Sequence, residues 1–199
     1  MEVGVPEWKI LSEVRLDPPV TGLIVGDMQV DFVSPKGRLC VPDAGKTVPN
    51  ILHLISEFRK VKSPIYFTHD WHRPDDPEFS RWPPHAVMNT PGAKIIKQLK
   101  PLPEDYLIFK KTYDVFFGTD LDLLLRQKGI RVLVITGTVA NICVLHAVGS
   151  AYIRGYEVVV PEDTISSLTP FDQAAALRQI SFVYQGKITR SRGIIFSKR

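Results

Sequence analysis

The chain has 199 residues, 44% of them hydrophobic, enough for one α/β domain with a core of its own. Its net charge of +4 is scattered apart from a basic tail over residues 190–199, and no basic face with interleaved aromatics is present, which argues against nucleic-acid binding. No run reaches membrane-spanning length, residues 1–19 contain no apolar signal core, and the two cysteines form no C-x-x-C, so a cytoplasmic protein without a disulfide framework or thiolate zinc site is expected.

Residues 1–19 read as an N-terminal arm that packs on a neighbour. The apolar run 21–26 is a first buried strand, with Asp27 at its carboxyl end. Apolar residues at Val48, Ile51, Leu52, Ile55 and Phe58 give helical spacing over 46–62. A second strand over 64–68 runs into His69, Asp70, Trp71 and His72. Residues 73–91, rich in proline and aspartate, form a long irregular loop carrying Trp82 and His85, and loops of that length are commonly functional. A short helix over 93–99, a strand over 106–109 and a helix over 120–128 follow, the last opening at Thr119. Strands over 132–135, 156–160 and 193–196 alternate with helices beginning near Asn141 and over 171–184. The pattern predicts one domain over 1–199, a doubly wound three-layer α/β/α fold with a mainly parallel six-stranded sheet.

The chemistry concentrates just beyond the strands. Cys143 falls in the first turn of a helix, where free amides and the helix dipole stabilise a thiolate and can cradle an oxyanion. His146, one turn later, is either a satisfied partner or a base for that thiol. Asp70 and His72, at alternate positions, share one side of an extended segment, with His69 on the other. If the loop returns His85 to them, the set suits zinc, iron or manganese, with coordination positions left open. Asp27 and Lys110 each have a bland reading as a loop acceptor and a solvated cation. A parallel sheet, however, brings Asp27, Asp70, Lys110 and Cys143 to one rim.

These motifs resemble the isochorismatase-like cysteine hydrolases, and among them the nicotinamidases. Asp27-Met28-Gln29-x-Asp31-Phe32 is similar to the family's aspartate motif. Asp70-x-His72 with Trp82-Pro83-Pro84-His85 and Asn89-Thr90-Pro91-Gly92-Ala93 resembles a nicotinamidase metal site. Lys110-x-x-Tyr113-x-x-Phe116-x-Gly118 matches the lysine motif, and Thr136-Gly137 through Cys143 the nucleophile motif. The resemblance implies Cys143 as nucleophile, Asp27 as general base and Lys110 as the cation between them. It further implies a cis peptide at Thr138-Val139, an oxyanion hole from the amides of Val139 and Cys143, and a divalent metal, zinc before iron or manganese, on Asp70, His72 and His85. Phe32 and Trp82 would line the ring pocket, and Trp71, beside the ligands, would add another apolar wall. Val139, Ala86 and Lys94 depart from the residues usual at their positions. The expected activity is nicotinamide hydrolysis through a thioester, in a homo-oligomer that binds a small amide. A ureido-acid hydrolase and an inactive metabolite-binding scaffold are the alternatives.

Overall fold

The computed structural model describes residues 4 and 7–197. The remaining residues of the N-terminal arm and of the basic tail lie outside them. The elements in chain order are β1 (Val14–Leu16), β2 (Thr21–Gly26), α1 (Val30–Val33), α2 (Ala44–Lys60), β3 (Ile65–Asp70), β4 (Tyr106–Lys110), α3 (Leu121–Gln127) and β5 (Val132–Thr138). Then come α4 (Leu145–Ile153), β6 (Glu157–Pro161), β7 (Ile165–Ser166), α5 (Pro170–Phe182), β8 (Lys187–Thr189) and β9 (Ile194–Phe196).

The main sheet runs in the order β4-β3-β2-β5-β6-β8, every pair parallel, with the short β7 added against β5. Strands β2, β3 and β4 are laid down in one direction and β5, β6 and β8 in the other, so the winding reverses between β2 and β5, where open parallel sheets form their crevice. Buried residues alternate between faces along each strand. Val25, Phe67 and Val134 pack under α2 with Ile51, Leu54 and Phe58. Ile24, Tyr66 and Leu133 pack on the opposite face with Leu121, Leu125, Val148 and Leu177 from α3, α4 and α5. Burial on both faces accounts for the continuous apolar runs in the sequence.

Two expectations change. The sixth strand of the main sheet is β8, whereas the run expected to fill that place, β9, leaves the sheet and pairs with β1. The described part of the arm makes contacts within its own chain: β1 lies within it, Ile10 bridges to Ile188, and Trp8 packs against the core. The helix expected over 93–99 is two separate 3-10 turns, Pro91–Ala93 and Lys97–Leu99.

Candidate functional site

The carboxyl ends of β4, β3, β2 and β5 lie side by side. Lys110 and Asp70 are the last residues of β4 and β3 and are register partners. Asp27 follows β2 directly, at a turn with φ +50°, its amide bonded to Thr68 Oγ1 at 3.0 Å. Gly137, near the end of β5, has φ +110°, and a Cβ there would overlap the Gly26 carbonyl, so glycine lets β2 and β5 close up at the crevice.

Lys110, 1% exposed, gathers the site. Its Nζ lies 2.9 Å from Asp27 Oδ2, 3.1 Å from the Thr112 carbonyl and 3.6 Å from Cys143 Sγ, and it donates a short bond to Asp70 Oδ1. Asp27 Oδ1 accepts from Thr68 Oγ1. Asp27 Oδ2 is close to Lys110 but has no hydrogen bond of good geometry among the described residues, which leaves it an open lone pair. Burial raises the Asp27 pKa above the usual carboxylate range against the pull of Lys110. Burial opposes the charge of Lys110 too, but Asp27 and Asp70 outweigh it and hold the ammonium well above the ordinary lysine value.

Cys143 does not lie in the first turn of an ordinary α-helix. It sits in a π-helical turn, Ala140–Val144, that precedes α4. The Val139 carbonyl accepts from the amides of Ile142 and Val144, each at 3.1 Å, and leaves the Cys143 amide between them unused by it. The Thr138-Val139 peptide is cis. The thiol differs from the thiolate expected from its sequence position: burial, above all, pushes its pKa well up, with Asp27 and Asp70 acting in the same direction and Lys110 against them. One cation already faces two carboxylates here, so a resting thiolate would be a second uncompensated negative charge. His146 is exposed, its Nδ1 held 2.7 Å from the Ile142 carbonyl, and it makes no contact with the sulfur.

The long loop does bring His85 back. His72 bridges to Val87, its amide donating to the Ala86 carbonyl at 3.2 Å while Met88 donates to the His72 carbonyl at 2.9 Å. Asp70, His72 and His85, all buried, thereby offer ligand atoms within 4.8 Å of one another. His72 Nδ1 is 3.1 Å from Asp76, and His85 Nδ1 is 2.8 Å from the Pro83 carbonyl. With each Nδ1 engaged, each Nε2 is turned inward, and His72 Nε2 is buried without a partner. That is the arrangement a metal-ligating imidazole needs. The potential is also right for a cation. Burial acts to lower His72, yet Asp70, Asp76 and Glu78 raise it to about 9, while Asp70 is held at about 2 against its own burial, chiefly by Lys110. Asp76, which orients His72, and Glu78, whose Oε1 is 4.0 Å from His85 Nε2, were not singled out by the sequence reading. They follow Asp70-x-His72 by only a few residues, but nothing in their spacing marks them among the other acids of the loop.

A narrow cleft joins the two groups: Phe32, Trp82, Tyr113, Val139, Ile142 and Leu168 form its walls, and Cys143, Asp70, Glu78 and His85 also line it. Trp82 Nε1 donates to Tyr113 Oη at 2.9 Å. Trp71 is not part of it, contrary to expectation. Its ring packs on Phe109 and His69, at centroid distances of 4.9 and 6.5 Å, because successive residues of an extended chain face opposite ways.

The Isochorismatase domain model matches residues 21–191. The chain belongs to the isochorismatase family. Among solved structures of the family, it is 35% identical to the N-carbamoylsarcosine amidase of Thermoplasma acidophilum, with a TM-score of 0.79 over 86% of this chain and 96% of that one. It is 32% identical to the pyrazinamidase of Pyrococcus horikoshii, solved in complex with zinc, with a TM-score of 0.78 over 91% and 100%. The nicotinamidase/pyrazinamidase of Bacillus subtilis is 27% identical, with a TM-score of 0.81 over 85% and 99%. Among the described residues, no helix is long and apolar enough to cross a membrane.

Proposed function

We propose that the chain is a single-domain cysteine amidohydrolase that cleaves a neutral heteroaromatic carboxamide, nicotinamide foremost, to the acid and ammonia. The observation that carries this reading is the cleft itself. It is lined by Cys143, whose sulfur lies 3.6 Å from the Lys110 ammonium behind it, and by Asp70 and His85 of the candidate metal set, and the described residues lining it include no lysine or arginine. His85, the lining imidazole, is kept neutral by burial, with its pKa lowered. Apolar and aromatic walls favour a flat uncharged ring. A carboxylate-bearing carbamoyl substrate, such as N-carbamoylsarcosine, would find no side-chain cation there.

The high thiol pKa sets the order of events. Cys143 binds substrate as a neutral thiol, and Asp27 Oδ2 takes its proton as the sulfur attacks the carbonyl carbon. Lys110 keeps both groups in register and stabilises the charge passing between them. The amides of Val139 and Cys143 receive the oxyanion, each such donor being worth about 3 kcal/mol. Protonated Asp27 gives its proton to the departing nitrogen, and ammonia leaves a thioester on Cys143. Asp27, again a carboxylate, deprotonates the water that attacks the thioester, and the proton returns to the sulfur as the acid departs. A divalent ion held by Asp70, His72 and His85 would supply a Lewis-acid anchor for a lone pair on the substrate ring.

The test is ammonia release by the purified protein from nicotinamide, pyrazinamide, N-carbamoylsarcosine and linear ureido acids. The expected order places the two ring amides at least tenfold ahead in kcat/KM. A ureido or carbamoyl acid turned over faster than nicotinamide would overturn the substrate assignment. No turnover of any amide would favour a binding scaffold.

A further inference from the structure

The Asp27–Asp31 segment carries two buried side chains that the mechanism above does not use. Gln29 is 0% exposed and Asp31 is 6% exposed. Both reach out of their own segment into the backbone that holds the three candidate metal ligands, and the inference below rests on the metal reading given above.

Gln29 replaces a missing strand. Trp71 donates from its amide to the Lys110 carbonyl at 2.9 Å, so the backbone at 71 faces β4, and alternation turns the N–H and C=O of Asp70 towards the β2 side. There β2 has already ended, at Gly26. Buried peptide groups need partners, and the Gln29 carboxamide provides them. Its Oε1 accepts from the Asp70 amide at 2.8 Å, and its Nε2 donates to the Asp70 carbonyl at 2.8 Å and to the Ala93 carbonyl at 2.9 Å. Only a side chain that both accepts and donates at this length satisfies both main-chain groups of one residue. A carboxylate in its place would set an acceptor oxygen, where the donor nitrogen stands, against the carbonyls of Asp70 and Ala93.

Asp31 acts one residue away from the other ligand. Its Oδ2 accepts from the Ala86 amide at 2.9 Å, and its Oδ1 from the Arg38 amide at 3.3 Å. Ala86 directly follows His85 and has φ +44°, a conformation unfavourable for alanine that an anchored amide helps to hold. The Ala86 carbonyl in turn accepts from the His72 amide. Ala86, next to His85 in the chain and bonded to His72, is therefore held through both of its main-chain groups. The Pro91–Ala93 turn closes over the carboxylate so tightly that any Cβ on Gly92 would overlap it.

We propose that Gln29 and Asp31 are positioning residues that preset Asp70, His72 and His85 for a divalent cation, so that one five-residue segment carries the general base and also fixes the metal set. Outer partners that orient ligands typically change metal affinity 10- to 100-fold when removed. The two side chains touch neither the sulfur nor the cleft.

The experiment is zinc binding by the purified full chain, titrated with Zn²⁺ against a competing chelator, for the parent, Gln29→Met, Gln29→Glu, Asp31→Ala and Asp31→Asn, with circular dichroism and thermal melting of each. The expected result is a 10- to 100-fold loss of affinity in Gln29→Met, Gln29→Glu and Asp31→Ala, with Asp31→Asn, which keeps an acceptor for the Ala86 amide, recovering most of it. Should Gln29→Met or Asp31→Ala fail to fold, Gln29→Glu against Asp31→Asn carries the comparison. Folded variants that melt lower yet bind zinc within twofold of the parent would overturn the proposal and leave the two residues a purely structural role. A parent that binds no zinc would instead overturn the metal reading, and this inference with it.

Discussion

Asp70 is joined to Lys110 through one carboxylate oxygen and faces His72 Nε2, 3.8 Å away, with the other. The same side chain thus belongs to the candidate metal set and to the charge network of the thiol. The other two ligands have no such second tie: His72 and His85 are oriented by Asp76 and by the Pro83 carbonyl.

That asymmetry predicts different phenotypes within one ligand set. His85→Ala should weaken zinc binding and nicotinamide turnover but leave the rate of Cys143 alkylation by iodoacetamide within about threefold of the parent. Asp70→Asn should weaken zinc binding and also change the alkylation rate about tenfold or more, because Lys110 loses one of its two carboxylates. Mass-mapped alkylation rates check this, and equal rates in the two variants would contradict it.

The pH profile follows from the neutral thiol. The reactive form needs Asp27 ionised and Cys143 protonated, so kcat/KM should rise as pH climbs through a carboxylate pKa above the ordinary 3.8, and should fall only where the thiol itself ionises, well above 9. The Thr68 hydroxyl favours the ionised form of Asp27. Thr68→Val, which removes that bond at nearly constant shape, should therefore move the acid limb to higher pH. An unmoved acid limb would show that Asp27 does not control it.

Two adjacent lysines test the register of the site. Lys110 is buried between two carboxylates and Lys111 is exposed. Lys110→Ala should abolish turnover and cost about 3–5 kcal/mol of stability, since it leaves buried charge uncompensated. Lys111→Ala should stay within about 0.5 kcal/mol of the parent and keep its activity. Melting curves and ammonia assays check both.

The two tryptophans near the site should separate in the same way. Trp82→Ala removes a wall of the cleft and its bond to Tyr113, and should raise KM for nicotinamide about tenfold or more. Trp71→Ala removes packing against Phe109 and should lower the melting temperature with KM nearly unchanged. Equal KM effects would place Trp71 in substrate binding after all.

The central strands and the rim of polar groups were legible because buried parallel strands leave long apolar runs: residues 21–26 and 132–135 carry β2 and β5, and the residue after β2 is Asp27. Strands β8 and β1 were not, since three residues with two buried side chains leave no period to read. The side taken by Trp71 was in fact readable. If Asp70 and His72 share a face, Trp71 lies on the other, and proximity in sequence was the poorer guide. The protonation state of Cys143 depends on how closely Asp27, Asp70 and Lys110 converge, a tertiary distance that no local pattern carries. The work of Gln29 was hidden for a similar reason, because its partner is a peptide 41 residues away.

The account turns on Cys143 as the atom that attacks. The most direct measurement is intact-protein and peptide mass spectrometry of the enzyme acid-quenched during turnover of nicotinamide, with Cys143→Ala alongside. A nicotinoyl mass on the Cys143 peptide of the parent, and no adduct or ammonia release from Cys143→Ala, is the predicted result; undiminished ammonia release by Cys143→Ala would contradict it.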